Sequence, residues 1–98
     1  MYAIEIARAA QADLVTLRVF DRTRILAAIR AELAHSPTVA AGHRKMLRDL
    51  RPSWDHVPPL WQLRVGDYRV FYDADEAERV VYIRRVIRKG TQTTGEIV

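Results

Sequence analysis

A chain of 98 residues, 49% hydrophobic and 29% charged, has room for one compact domain (1–98) and the composition of a globular rather than a disordered protein. It has no cysteine, which excludes a disulfide framework and a thiolate metal site and suits a reducing cytoplasm. The formal charge of +4 favours an anionic partner, such as nucleic acid or an acidic protein.

The opening residues, MYAIEIARAAQADL, carry acids early and lack an apolar run, so no signal peptide is expected. No stretch approaches membrane-spanning length. Tyr2 to Ile6 alternates over a short span and predicts a first strand. Ala10, Leu14 and Leu17 recur at i, i+4 and i+7, the spacing of one helical face, and predict a helix from about Ala9 to Val19. Asp21 is then the expected N-cap of a second helix, whose stripe of Ile25, Leu26, Ile29 and Leu33 runs on until Ser36-Pro37 stops it. The two segments read as a helical hairpin laid on a sheet. From Pro37 to Pro59 the pattern dissolves into small, basic and proline residues, with Lys45 to Leu50 the one short strand candidate.

Pro59 to Glu76, PLWQLRVGDYRVFYDADE, reads as a β-hairpin around the two-residue loop Gly66-Asp67, a signal for a type I′ or II′ turn. A two-residue loop fixes the register. Val65 then pairs with Tyr68, Arg64 with Arg69, Leu63 with Val70, Gln62 with Phe71 and Trp61 with Tyr72. Alternation puts Trp61, Leu63, Val65, Tyr68, Val70 and Tyr72 on one apolar face. The other face carries Leu60, Gln62, Arg64, Arg69, Phe71 and Asp73, where two cross-strand arginines beside an amide and an aromatic offer a seat for a phosphate and a base. The bland alternative is a pair of solvated arginines whose repulsion is screened over roughly 8 Å in physiological salt. The acidic run Asp73 to Glu78 reads as a solvated turn rather than a cation site.

Arg79 to Arg88, RVVYIRRVIR, is β-branched and aromatic enough to form a last strand. Arg84-Arg85 falls in its middle, so one of the two must face the core side or a bulge must intervene, with an acidic partner or a sheet edge to receive them. The tail TQTTGEIV is expected to form a helical turn or to fray. His35, His43 and His56 have no ligand spacing, so no metal and no other cofactor is expected. His35 suits a helix C-terminus. His43 can act as an acid or base only if its loop folds over the arginine face. Trp54 and Trp61 read as packing residues.

The order of strand, helical hairpin and antiparallel strands, with the block LWQLRVGDYRVFYDAD and the later VVYIRRVIRKG, resembles the RelE/ParE superfamily of type II toxin-antitoxin toxins. The upstream segment HRKMLRDLRP is a weaker match to a basic strand of that family. The resemblance implies an α+β fold with an N-terminal strand, a two-helix hairpin and a mainly antiparallel twisted sheet. It also implies a small cytoplasmic toxin held by an antitoxin and acting on translation or on DNA topology. In the RelE-like branch the activity is ribosome-dependent cleavage of mRNA. Arg69 then matches the arginine set against the phosphate, Arg64 adds a second guanidinium, and Lys89 falls where the family has a further catalytic cation. Arg88, Gln62, Phe71, Arg48 and Lys45 are the accompanying RNA- or phosphate-binding candidates. The chain departs from strongly active members at Leu60 and Gln62, where they present lysines, and at Thr93, Thr94 and Gly95, where they carry a tyrosine or histidine. A ParE-like inhibitor of DNA gyrase without catalysis, and a degenerate toxin acting mainly as an antitoxin-binding partner, remain the alternatives.

Overall fold

The computed structural model describes residues 1–90. Its elements are β1 (Ala3–Ile6), α1 (Arg8–Val15), α2 (Val19–Leu33), β2 (Arg44–Leu47), β3 (Leu60–Val65), β4 (Tyr68–Asp75) and β5 (Val80–Arg88). The strands form one sheet in the order β1-β5-β4-β3-β2. The helices carry the chain from β1 to β2 at the opposite edge of the sheet, and β1 runs parallel to β5 while the other neighbours are antiparallel. This is the α+β architecture the sequence led us to expect. The tail residues Thr93, Thr94 and Gly95, and the turn anticipated for them, lie outside the described residues.

The hairpin register is the expected one, pair for pair from Trp61↔Tyr72 to Val65↔Tyr68. Gly66 has φ +58 while Asp67 does not enter the positive-φ region, which selects type II′ of the two turn types. A side chain at Gly66 would also meet the Arg24 guanidinium, which lies against the turn and donates to the Val65 carbonyl at 3.4 Å. The apolar face of the hairpin, with Val81, Ile83 and Val86 of β5, packs on Ala10 and Leu14 of α1 and on Ile25, Ile29 and Leu33 of α2. Each of the valines, leucines and isoleucines among these stabilises the fold by about 1.5–3 kcal/mol relative to leaving it exposed.

Three boundaries differ from expectation. The first helix stops at Val15 rather than Val19, where Thr16 Oγ1 donates to the Asp13 carbonyl at 2.7 Å and Leu17 N–H to that of Leu14 at 3.1 Å. The apolar spacing continues through Leu17 across the break, so periodicity alone joins two segments that the backbone separates. Asp21 is not the N-cap of α2: Arg18 takes that position, and Asp21 lies in the first turn, where a carboxylate is equally favoured by the helix dipole. There it accepts from the Tyr68 hydroxyl at 3.3 Å, tying the helix to the sheet. The short strand β2 begins at Arg44 and ends at Leu47, before Asp49 and Leu50.

The β4–β5 ladder steps from Phe71↔Arg85 to Tyr72↔Ile83, leaving Arg84 as the extra residue of a β-bulge. The bulge lets Ile83 and Val86 both face the core while two arginines occupy the positions between them. Arg84 makes a two-pronged pair with Asp73 (Nε to Oδ2 2.7 Å, Nη2 to Oδ1 3.1 Å). Arg85 does the same with Asp13 of α1 (2.7 and 3.0 Å), and the same carboxylate accepts from the Val86 N–H at 2.8 Å. Since β1 pairs with β5 only as far as Ile83, α1 takes over as the cap of that sheet edge. These hydrogen bonds are the main reason that both guanidiniums are held above the ordinary arginine pKa.

Candidate functional site

The sheet face turned away from the helices is divided in two. Over its lower half lies the connection from β2 to β3, residues 48–59. Trp54 stands with its ring centroid 5.7 Å from that of Phe71, Pro52 is buried, and the Val57 N–H donates to Asp73 Oδ2 at 3.0 Å. Phe71 and Leu60 are therefore fully covered. A base could reach the Phe71 ring only if Trp54 moved aside. The acidic run begins in the same region with a structural role, because Asp73 is buried between Arg84 and the Val57 amide.

The upper half is open. A polar groove of about 250 Å³ is lined by His43, Lys45, Gln62, Arg64, Arg69 and Lys89, with Gly42 and Arg44 at its margin. Four elements contribute to it, and pairing sets their places. Lys45 is the cross-strand partner of Gln62, and Arg64 that of Arg69. The Lys89 N–H donates to the Asp67 carbonyl at 2.8 Å, which carries the β4–β5 ladder one step past the strand and up to the turn.

Arg64 and Arg69 form the centre. The Arg64 N–H points away from β4 and donates to the His43 carbonyl at 2.9 Å. The arginines are thus a non-hydrogen-bonded cross-strand pair, the kind in which side chains approach most closely. Like charges so placed repel, and the two guanidiniums part. Arg69, only 9% exposed, folds over the turn and donates from Nη1 to the carbonyls of Gly66 and Tyr68, both at 3.1 Å. Arg64 stays exposed and donates from Nη2 to the His43 Nδ1 at 3.2 Å. Burial, and then the facing Arg64 charge, lower the Arg69 pKa from its usual value, with Asp67 opposing the shift. Arginine starts so high that the group remains a cation at any physiological pH.

Of the residues the sequence suggested, the groove brings together Arg69, Arg64, Lys89, Gln62 and Lys45. Arg88, next to Lys89 but pointing to the other side, lines a separate cleft of about 530 Å³ with Arg18, Arg24, Asp21 and Tyr68. Arg48 is exposed in the bend after β2, away from the groove. His43, marginal in the sequence, is well placed by the turn at Gly42 (φ +60) and by the backbone bond to Arg64. The remaining lining residue, Arg44, is occupied on the helix side by Glu32 at 2.7 Å. The spacing of a β2 lysine opposite Gln62 could not be foreseen without the β2–β3 register.

Chemically, two guanidiniums and two ammonium groups around a small open groove, with no lining carboxylate among the described residues, suit an oxyanion, and phosphate above all. Among the described residues no helix is long and apolar enough to cross a membrane. The model of a family described as the ParE toxin of type II toxin-antitoxin systems, parDE, matches residues 4–92. Among solved structures the chain is similar in fold to the archaeal RelE-RelB complex from Pyrococcus horikoshii, with a TM-score of 0.69 at 22% identity over 92% of this chain and 97% of that one. It is likewise similar to the isolated E. coli RelE toxin (TM-score 0.66, 18% identity, 99% of this chain and 90% of that one). The intact E. coli RelBE toxin-antitoxin complex gives a TM-score of 0.65 at 19% identity, over 88% and 94% of the two chains. No curated protein matches the chain.

Proposed function

Because the chain belongs to the ParE toxin family of type II toxin-antitoxin systems, within the wider RelE/ParE superfamily, we propose that it is a toxin that cleaves mRNA on the ribosome, using the cationic groove as its phosphate seat. The observation that carries this reading is the convergence of Arg64, Arg69, Lys45 and Lys89 on one open groove. Cleavage next to a ribose needs cations against a phosphate that gains charge in the transition state. Arg69 and Arg64 supply paired guanidiniums for that phosphate. Lys45, opposite Gln62 on the neighbouring strand, supplies an amine where β3 itself has none. Gln62 lines the groove but is only 5% exposed, so the contact with RNA falls to the cations, with Lys89 on the side of β5. The reading implies a cytoplasmic protein working on ribosome-bound mRNA. An antitoxin is the expected protein partner, as the similar RelE chains were solved in complexes with RelB.

A second reading, inhibition of DNA gyrase without chemistry, is favoured by the ParE description of the matching family. The two are separated by parallel assays with purified components. Cut mRNA in a translating extract together with unimpaired supercoiling supports the ribonuclease reading; intact mRNA with blocked supercoiling supports the second. A chain that leaves growth, mRNA and supercoiling untouched acts as an antitoxin-binding partner alone.

A further inference from the structure

Resting on the ribonuclease reading, the geometry points to His43 as the proton acceptor of the cleavage reaction. Among the described residues, every other ionisable side chain lining the groove is an arginine or a lysine: Arg44 and Lys45 of β2, Arg64 of β3, Arg69 of β4 and Lys89 beyond β5. Guanidinium and ammonium groups carry no free lone pair to accept a proton, whereas imidazole changes state near neutral pH. With no carboxylate on the lining among the described residues, the imidazole is the group there suited to take a proton from a ribose hydroxyl.

The backbone holds His43 in position for this. Its carbonyl accepts from the Arg64 N–H at 2.9 Å, one step beyond the β2–β3 pairs, so the residue is an extension of the sheet rather than part of a distant loop. The side chain points the same way. The Arg64 guanidinium, a donor only, lies 3.2 Å from Nδ1, and the contact requires a lone pair on that nitrogen. In that contact Nδ1 is the acceptor, and this nitrogen is turned toward the arginine pair.

A phosphate entering the groove offers Arg64 a charged acceptor in place of the imidazole, and Nδ1 becomes free beside the same phosphate. The step then balances. Nδ1 takes the proton of the 2′-hydroxyl, the 2′-oxygen bonds to the adjacent phosphorus, and the bond from phosphorus to the 5′-oxygen breaks. The departing 5′-oxygen takes a proton from the Lys89 ammonium. The products are a 2′,3′-cyclic phosphate and a 5′-hydroxyl, and solvent returns the proton to Lys89 and removes the one on His43.

His43→Asn separates this role from mere positioning, because the amide oxygen sits where Nδ1 does and accepts from Arg64 but takes no proton at neutral pH. Single-turnover cleavage of ribosome-bound mRNA is followed from pH 5.5 to 8.5 with the full-length toxin and with the variant. The wild-type rate is expected to rise about tenfold per pH unit below the imidazole pKa and then level off. In His43→Asn the rate is expected to fall by about 10²–10⁴ and lose that rising limb, with binding to ribosomes and the melting temperature unchanged. A variant that cuts at the wild-type rate with the same pH profile overturns the role of His43 and leaves the ribonuclease reading standing. A wild-type protein that cuts nothing overturns both.

Discussion

Arg64 and Arg69 stand directly opposite one another in β3 and β4, yet their guanidiniums leave in opposite directions, one to His43 Nδ1 and the other to the carbonyls of Gly66 and Tyr68. The pair is an unfavourable arrangement for stability, kept apart by acceptors that the hairpin turn and the turn before β2 provide. A phosphodiester between them, singly charged at rest and doubly charged in the transition state, would turn the repulsion into attraction.

Arg69→Ala is expected to abolish the growth arrest caused by inducing the toxin alone, while its melting temperature stays close to that of the parent. Loss of the two carbonyl contacts is offset by relief of the repulsion with Arg64, so the net change is about 1 kcal/mol or less. Arg69→Lys should recover only part of the toxicity, because an ammonium lacks the planar fork that meets two phosphate oxygens. Growth curves and thermal melts of the three proteins check this together.

The Arg84–Asp73 pair should behave in the opposite way. Asp73 is 3% exposed and holds both the bulge arginine and the Val57 amide that closes the loop over Phe71. Arg84→Ala strands that carboxylate, and removing one partner of a buried pair costs about 3 kcal/mol or more. Urea denaturation should show a fall of that size in the unfolding free energy, and a changed fluorescence at Trp54 would report the loosened loop.

Tyr72 gives a pH signature. Burial raises its pKa well above the ordinary tyrosine value, and its hydroxyl donates to the Pro37 carbonyl in the core. In the unfolded chain the phenol ionises near pH 10. The folded state keeps the proton longer, so stability is complete below about pH 10 and declines above it, by up to about 1.4 kcal/mol per pH unit. Tyr72→Phe should be less stable at neutral pH but lose this part of the alkaline slope, as denaturant titrations at pH 8, 10 and 11 would show.

How much of this was legible in the sequence follows from where the determinants lie. The hairpin register was readable because two turn residues, Gly66 and Asp67, leave the flanking strands a single pairing, and that register already placed Arg64 opposite Arg69. The core stripe of α2 was readable from its 3.6-residue period. The bulge at Arg84 was legible as a conflict between two adjacent arginines and a period of two, although the identity of their acids, Asp73 and Asp13, depends on contacts 11 and 72 residues away. The division of the far face was not legible. Nothing local says that residues 48–59 fold back to cover Phe71 and Leu60 while leaving Arg64 exposed, nor that a separate short strand sets Lys45 beside Gln62 and the turn before it sets His43 beside Arg64.

The most direct test is cleavage of a defined mRNA in a reconstituted translation system, read by primer extension with wild-type toxin and with Arg69→Ala. The groove predicts discrete cuts in ribosome-bound message with the wild-type chain, a rate lower by at least about a hundredfold with Arg69→Ala, and unimpaired gyrase supercoiling in both cases. Undiminished cutting by Arg69→Ala, or intact mRNA alongside inhibited supercoiling, would contradict it.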